Sequence, residues 1–160
     1  VIIQSSNNNN KILYKAAFRL TETVINEIVS DYSMSPTGYI DASTICTNFS
    51  AKVNTVGTVA CGASSSTIPG TPNFTTSNGM RWYGLDSNIA FANCSTYGYS
   101  GMNCKLISID VDGASKGLNT NATSNQKRDI LRILIFDTGK VASPNQTTNY
   151  ENLESTFLTN

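Results

Sequence analysis

The sequence predicts an α+β fold, in which an N-terminal amphipathic helix packs on a C-terminal antiparallel β-sheet. Two observations predict this class. Apolar residues recur at helical spacing near the N-terminus, and the β-forming segments then follow one another without a repeated alternation of strands and helices. With 160 residues, the chain is long enough for one domain with a single core. We therefore expect one domain over residues 1–160.

The helix is predicted over residues 11–33, because the apolar side chains of this segment form one continuous stripe. The stripe recurs at spacings of three and four and consists of Leu13, Ala17, Leu20, Val24 and Ile28. Pro36 follows the segment, and a proline stops a helical pattern. We interpret the polar run over residues 5–10 as a break ahead of the helix.

The rest of the chain is predicted to form a loop region, a sheet and a tail. Residues 34–79 are rich in Thr, Ser, Gly and Asn and form a variable loop region, with short elements near 45–53 and 56–60. Residues 80–141 form the antiparallel sheet, and residues 142–160 form a polar C-terminal tail. High β-propensity predicts strands over 80–85, 88–92, 105–111 and 130–136.

The charge and the residue types limit the classes of function. Eleven basic and eleven acidic residues cancel, so nothing in the charge predicts nucleic acid as a partner. The chain contains no histidine, which removes the commonest general base and the commonest zinc ligand. We therefore expect a protein that is not an enzyme and has no required cofactor.

The four cysteines predict two disulfides and an oxidising compartment. Cys46, Cys61, Cys94 and Cys104 form no Cys-x-x-Cys pair, so neither a zinc ribbon nor a thioredoxin-type site is indicated. Four cysteines can form two disulfides in three ways, and all three pairings remain open at this point. We favour Cys46–Cys61 with Cys94–Cys104, because each of these pairs brackets a polar loop. Closing a loop of about 15 residues stabilises a fold by roughly 3 kcal/mol.

An Asp-x-Asp-Gly turn is the candidate metal-binding motif. Asp110 and Asp112 offer hard oxygen ligands that suit calcium, and Asn119 and Asp129 are candidates for further ligands. The complete calcium-loop signature is absent, and the alternative is a turn whose carboxylates cap backbone amides. We take Asp110 and Asp112 to point to opposite faces of a strand, so a converging catalytic pair is not expected.

Aromatic residues are the candidate binding surface. Tyr97 and Tyr99 lie in the loop bracketed by the second cysteine pair and are candidates for contact with a glycan or a protein. Trp82 and Tyr83 are adjacent in a predicted strand and point to opposite faces, so one of the two is expected in the core.

The segment from Ile107 to Val141 resembles the C-terminal sheet of type IV pilins and type II secretion pseudopilins. Its elements occur in the order of that family, with Thr138 inserted in the final turn. The matching elements are the turn Asp110–Gly113, the turn Lys116–Asn119, Asp129, the strand Leu131–Phe136 and the turn Asp137–Val141. The chain departs from the commonest pilin pattern because no cysteine follows Val141.

The resemblance implies a structural subunit of a type IV pilus or a type II secretion filament. Its partners would be other pilin subunits, together with the inner membrane through an apolar half-helix preceding Val1. The location would be periplasmic or extracellular, with anchoring in the inner membrane before assembly. Some pseudopilins also hold calcium in this region, which favours the metal interpretation.

Two other classes of function remain. The alternative to a filament subunit is a secreted adhesin-like module that recognises a glycan or a protein through its Ser-, Thr- and Tyr-rich loops. A secreted hydrolase that uses carboxylates ranks last, because the acidic residues are scattered among turns and helix surface.

Overall fold

The computed structural model describes residues 2–62, 70–113, 129–146 and 152–159. An N-terminal helix and an antiparallel sheet confirm the predicted α+β class. The helices are α1 (Ile2–Ser30), α2 (Ile45–Lys52) and α3 (Leu153–Thr159), with a short 3₁₀ turn at Ser95–Tyr97. The strands are β1 (Thr55–Val56), β2 (Phe74–Thr76), β3 (Arg81–Tyr83), β4 (Ala92–Cys94), β5 (Tyr99–Asp110), β6 (Ile130–Phe136) and β7 (Val141–Ala142).

Helix α1 is longer at its N-terminus than the sequence predicts. It begins at Ile2 and runs through residues 5–10, so the predicted break in this polar run is wrong. Asparagine costs at most about 0.7 kcal/mol per residue in a helix relative to alanine, and unlike proline it removes no backbone hydrogen bond. The helix ends at Ser30, and the Ser35 hydroxyl donates to the carbonyl of Ile28 at 2.8 Å. No helix in the described ranges is both long enough and apolar enough to cross a membrane.

The sheet is antiparallel throughout and is centred on the long strand β5. The strand order is β1-β2-β3-β5-β6-β7, and β4 pairs with the first half of β5. The pairing of β5 with β6 runs from Cys104 opposite Phe136 to Asp110 opposite Ile130. This register brings the end of β5 and the start of β6 to the same edge of the sheet.

Both faces of the sheet are covered. One face packs against α1 and α2 through β5 and β6 residues that alternate along each strand, namely Ile107, Ile109, Leu131, Ile133 and Ile135. A smaller cluster on the other face contains the Cys94–Cys104 disulfide and Phe136. Trp82 and Tyr83 are both buried, and Trp82 belongs to the core on the helix-covered face, as expected of one of the two. The Tyr83 hydroxyl donates to the carbonyl of Gly70 at 3.0 Å.

The segment around the second disulfide differs from the prediction. The predicted strand over 88–92 is wrong, because β4 begins at Ala92 and Ile89 is exposed. The predicted loop over 95–103 is instead a turn followed by the start of β5 at Tyr99. The structure joins Cys46 to Cys61 and Cys94 to Cys104, which is the pairing that the sequence favours.

The C-terminal tail contains a helix that the sequence does not reveal. Helix α3 contacts α1 and β6, and its Glu154 is fully buried. Because β7 pairs only with Leu134 and Ile135, it leaves the edge of β6 open at Arg132. The Glu154 carboxylate accepts the Arg132 backbone N–H at 2.9 Å, and the Tyr14 hydroxyl donates to the Arg132 carbonyl at 2.7 Å. The side chains of Glu154 and Tyr14 thus provide the hydrogen bonds that a neighbouring strand would otherwise make with β6 at Arg132.

A buried lysine lies on the core-facing side of β5. Lys105 is 2 % exposed, and its ammonium group donates to the backbone carbonyl of Asp86 at 2.7 Å. The carboxylate of Asp86 accepts a hydrogen bond from Asn73, which is also buried. Burial lowers the pKa of Lys105 from 10.5 to about 8, while the Asp86 carboxylate acts in the opposite direction.

The stability of the protein is expected to rise with pH through the titration of Lys105. Between pH about 8 and 10.5 the unfolded chain holds a proton on this lysine that the folded chain has lost. The free energy of unfolding therefore increases with pH in this window. Urea unfolding at a series of pH values checks this, with Lys105→Met as the variant in which the rise disappears. An equal rise in Lys105→Met would assign the effect to another group.

Candidate metal centre

Three aspartates converge at the edge where β5 ends and β6 begins. Asp110 is the last residue of β5, Asp112 lies in the following turn, and Asp129 directly precedes β6. One carboxylate oxygen from each of the three lies within 4.8 Å of the others. The backbone supports this arrangement, because the Val111 N–H donates to the Asp129 carbonyl at 3.2 Å.

The turn that carries Asp112 is held by a glycine. Gly113 has a φ of +85°, which disfavours any residue with a side chain. A Cβ atom at this position would also lie 3.1 Å from the carbonyl oxygen of Gly79. The turn after β5 therefore packs closely against the turn between β2 and β3, which fixes Asp112 beside Asp110.

Asp110 is the most strongly perturbed carboxylate of the cluster. Its side chain is fully buried, and among the described residues its oxygens have no hydrogen-bond partner other than the carboxyl group of Asp112. Burial, and then the adjacent carboxyl groups of Asp112 and Asp129, raise the pKa of Asp110 to about 7. Arg81, which faces Asp110 across β3 and β5, acts in the opposite direction. Among the described residues, Arg81 is the basic side chain that lowers the pKa of Asp110, and it does not offset the effect of burial and of the two neighbouring carboxyl groups.

The donor set fits a hard divalent cation such as calcium. Calcium takes six to eight oxygen ligands at about 2.3–2.6 Å, so two ligand oxygens lie at most about 5 Å apart. The 4.8 Å limit of the aspartate cluster falls within this span. A zinc or copper site is not indicated, because the chain has no histidine and its four cysteines are in disulfides. A bound cation would add positive charge beside Asp110, where Arg81 only partly offsets the neighbouring carboxyl groups.

The structure brings together three of the four metal ligands that the sequence suggests. Asp110, Asp112 and Asp129 lie together, whereas Asn119 lies outside the described residues. The expectation that Asp110 and Asp112 do not converge is wrong. Residues two apart on a strand share a face, and Asp112 lies beyond the strand end.

The two tyrosines proposed as a binding surface are only half-exposed. The ring of Tyr99 packs edge-on against Phe136 at 5.1 Å, and its hydroxyl donates to the Ser143 carbonyl at 3.2 Å. Tyr97 packs against the same small cluster. Much of both rings therefore serves packing, which leaves less of their surface for a ligand.

Sequence reasoning misses Arg81 as a neighbour of the site. The signal was available in part, since Arg81 is the second residue of the strand predicted over 80–85, directly after a turn. Its alignment with Asp110 depends on the pairing of β3 with β5, which no local pattern reveals.

The fold and the site define an α+β protein with a candidate divalent-cation centre at one edge of its sheet. No family model, no curated protein and no solved structure matches the chain.

Proposed function

We propose that the protein is a structural subunit of a type IV pilus or a type II secretion filament. The observation that carries the proposal is helix α1, which runs from Ile2 to Ser30 and packs on an antiparallel sheet. Its 29 residues correspond to about 43 Å of helix. A continuous helix is the connection that an upstream apolar half-helix needs in order to be held rigidly to the sheet.

Assembly would use contacts between different surfaces of neighbouring subunits, because such contacts extend into a filament and do not close. An apolar segment ahead of Val1 would anchor the subunit in the inner membrane before assembly. The two disulfides support a periplasmic or extracellular location. The cation would tie the end of β5 to the start of β6 and so stabilise the sheet that the filament displays.

The amino terminus of the native protein tests this proposal. We expect protein from the membrane fraction and from sheared filaments to begin with a methylated residue. About 20 apolar residues, the length that spans a bilayer, should follow before the sequence Val1–Gln4. N-terminal sequencing and intact mass measure this. A mature terminus at or near Val1 in a soluble fraction would contradict it and favour the secreted binding module.

A further inference from the structure

We propose that strand β1 is a contact surface for a second copy of the chain, and that the two β1 strands pair antiparallel about a two-fold axis. The surface, which we call the β1 edge, consists of residues 54–56 and the exposed side chain of Val59. Strand β1 is the last in the strand order, and no described strand pairs with its outer side. The inference goes beyond the proposed function, because two copies close this contact between them.

The backbone of Thr55 points its hydrogen-bonding groups towards this open side. The Ser77 N–H donates to the Asn54 carbonyl at 2.9 Å, so Asn54 faces β2. Thr76, which lies opposite Thr55, instead faces β3, because its N–H donates to the Met80 carbonyl at 2.9 Å. Facing residues alternate along an antiparallel strand, and the N–H and C=O of Thr55 therefore point away from β2.

The β1 edge is apolar and carries no charge. Val56 and Val59 are 51 % and 40 % exposed, and no Asp, Glu, Lys or Arg occurs in the sequence from Val53 to Met80. Lys52, directly before this stretch, is paired with Glu27 at 3.3 Å. Natural proteins often use charged side chains or proline to keep edge strands from pairing with another chain. Two copies of the β1 edge can therefore meet without like charges opposing each other.

The segment that carries the β1 edge is fixed at both ends. It follows α2 closely, and its far end returns to α2 through the disulfide between Cys46 and Cys61. Between these ends, the Ala60 N–H donates to the Asn73 carbonyl at 2.7 Å. An edge held in this way loses little conformational entropy when a second strand binds to it.

A two-fold axis at Thr55 makes the β1 edge complementary to itself. The N–H and C=O of Thr55 in one copy then bond to the C=O and N–H of Thr55 in the other. Val56 lies opposite Asn54 of the other copy, and the two Val56 side chains become diagonal neighbours on one face. Because β1 has only two residues before Gly57, whose φ is +73°, the contact is small. We expect a weak dimer, with a Kd of about 0.1–1 mM.

Sedimentation equilibrium of the disulfide-bonded chain tests the contact. The wild type should dimerise between about 10 µM and about 1 mM, and Val56→Lys should raise the Kd at least about tenfold, because it sets two positive charges side by side. Ile12→Lys is the matched control, since it makes the same change at a side chain on α1 that is 66 % exposed, and it should dimerise as the wild type does.

Three results would overturn the inference. A wild type that stays monomeric at about 1 mM would leave the β1 edge to a strand of a different protein. An unchanged Kd in Val56→Lys would place the contact elsewhere on the chain. An equal loss in Ile12→Lys would assign the effect to net charge.

Oxidative crosslinking determines the register. Residues in a hydrogen-bonded antiparallel pair have Cα atoms about 5.5 Å apart, which suits a disulfide. Thr55→Cys should therefore give a covalent dimer, whereas Ser100→Cys, at an exposed position on β5, should give little. Peptide mapping checks that the two native disulfides are intact. Equal dimer yields from both variants would contradict the two-fold pairing at Thr55 and leave the proposed function untouched, since that proposal is tested at the amino terminus.

Discussion

Calcium at about 10 mM is expected to raise the melting temperature of the protein by about 5–10 °C and to leave that of Asp110→Asn nearly unchanged. Extracellular calcium sites have Kd values near 10⁻⁴ M, and ligand at about one hundred times Kd stabilises a fold by about 2.7 kcal/mol. Asp110 is the decisive position, because its buried carboxylate has no hydrogen-bond partner among the described residues other than the carboxyl group of Asp112. Calorimetry with and without calcium measures the effect.

Without a cation, the same carboxylate is expected to reduce stability near neutral pH. The pKa of Asp110 rises from 3.8 to about 7, so between these values the folded state holds a proton that the unfolded state has lost. The free energy of unfolding therefore falls as pH rises through this window. Asp110→Asn removes that fall, and at neutral pH in a chelator it should be at least as stable as the wild type.

Asp137→Asn is the matched control for this prediction. It removes one negative charge in the turn between β6 and β7, away from the aspartate cluster, and should keep the full response to calcium. A wild-type protein that shows no response at this concentration would contradict the cation site. So would an undiminished response in Asp110→Asn. Magnesium provides a further comparison, since its demand for short octahedral bonds disfavours a flexible three-carboxylate site.

The elements that the sequence predicts best are those whose pattern is local. Strand β6 has the predicted bounds, Ile130–Phe136, because six of its seven residues are large and apolar, which suits a strand covered on both faces. The apolar stripe of α1 is likewise visible in the sequence, and Ala17, Val24 and Ile28 are buried as expected. The N-terminal start of α1 is missed, because helix propensity is a weak guide for a polar run.

The elements that the sequence misses depend on partners far along the chain. Helix α3 reads as a polar tail, because one of its buried residues is the acidic Glu154, whose partner Arg132 is 22 residues away. Lys105 gives no sequence signal for burial because it is charged, yet it lies on the core-facing side with Ile107 and Ile109 and donates to the backbone carbonyl of Asp86. Neither pairing follows from spacing or propensity.

The candidate metal centre could be predicted from the sequence only in part. Asp110 and Asp112 are visible as a turn motif, and Asp129 is visible only as a residue ahead of a strong strand. Their convergence follows from the antiparallel register that sets Asp110 opposite Ile130. Once two strands are taken as sequential neighbours in an antiparallel sheet, the end of one and the start of the next are expected to meet. The burial of Asp110 and its position opposite Arg81 cannot be predicted from the sequence and are seen only in the structure.

Glu154→Ala is expected to lower the free energy of unfolding by about 3–5 kcal/mol, the cost of breaking a buried ion pair by removing one partner. The Arg132 guanidinium is 2.9 Å from the Glu154 carboxylate, and the two side chains are 6 % and 0 % exposed. The substitution also leaves the Arg132 backbone N–H without its acceptor. Urea denaturation with both disulfides intact measures the loss, with the m-value as a check on two-state unfolding.

Two comparisons separate the buried pair from a general effect of losing a glutamate. Glu27→Ala removes the acidic partner of an exposed pair with Lys52 and should cost at most about 1 kcal/mol. The double variant Arg132→Leu, Glu154→Gln removes both charges and keeps an oxygen that can accept the backbone N–H. It should therefore be more stable than Glu154→Ala, because no buried charge is left without a partner.

If Glu154→Ala costs no more than Glu27→Ala, α3 does not hold the edge of β6 in the way the geometry indicates. A double variant as unstable as Glu154→Ala would instead assign the loss to the packing of α3 on α1, through contacts such as that between the Tyr14 and Phe157 rings at 6.3 Å.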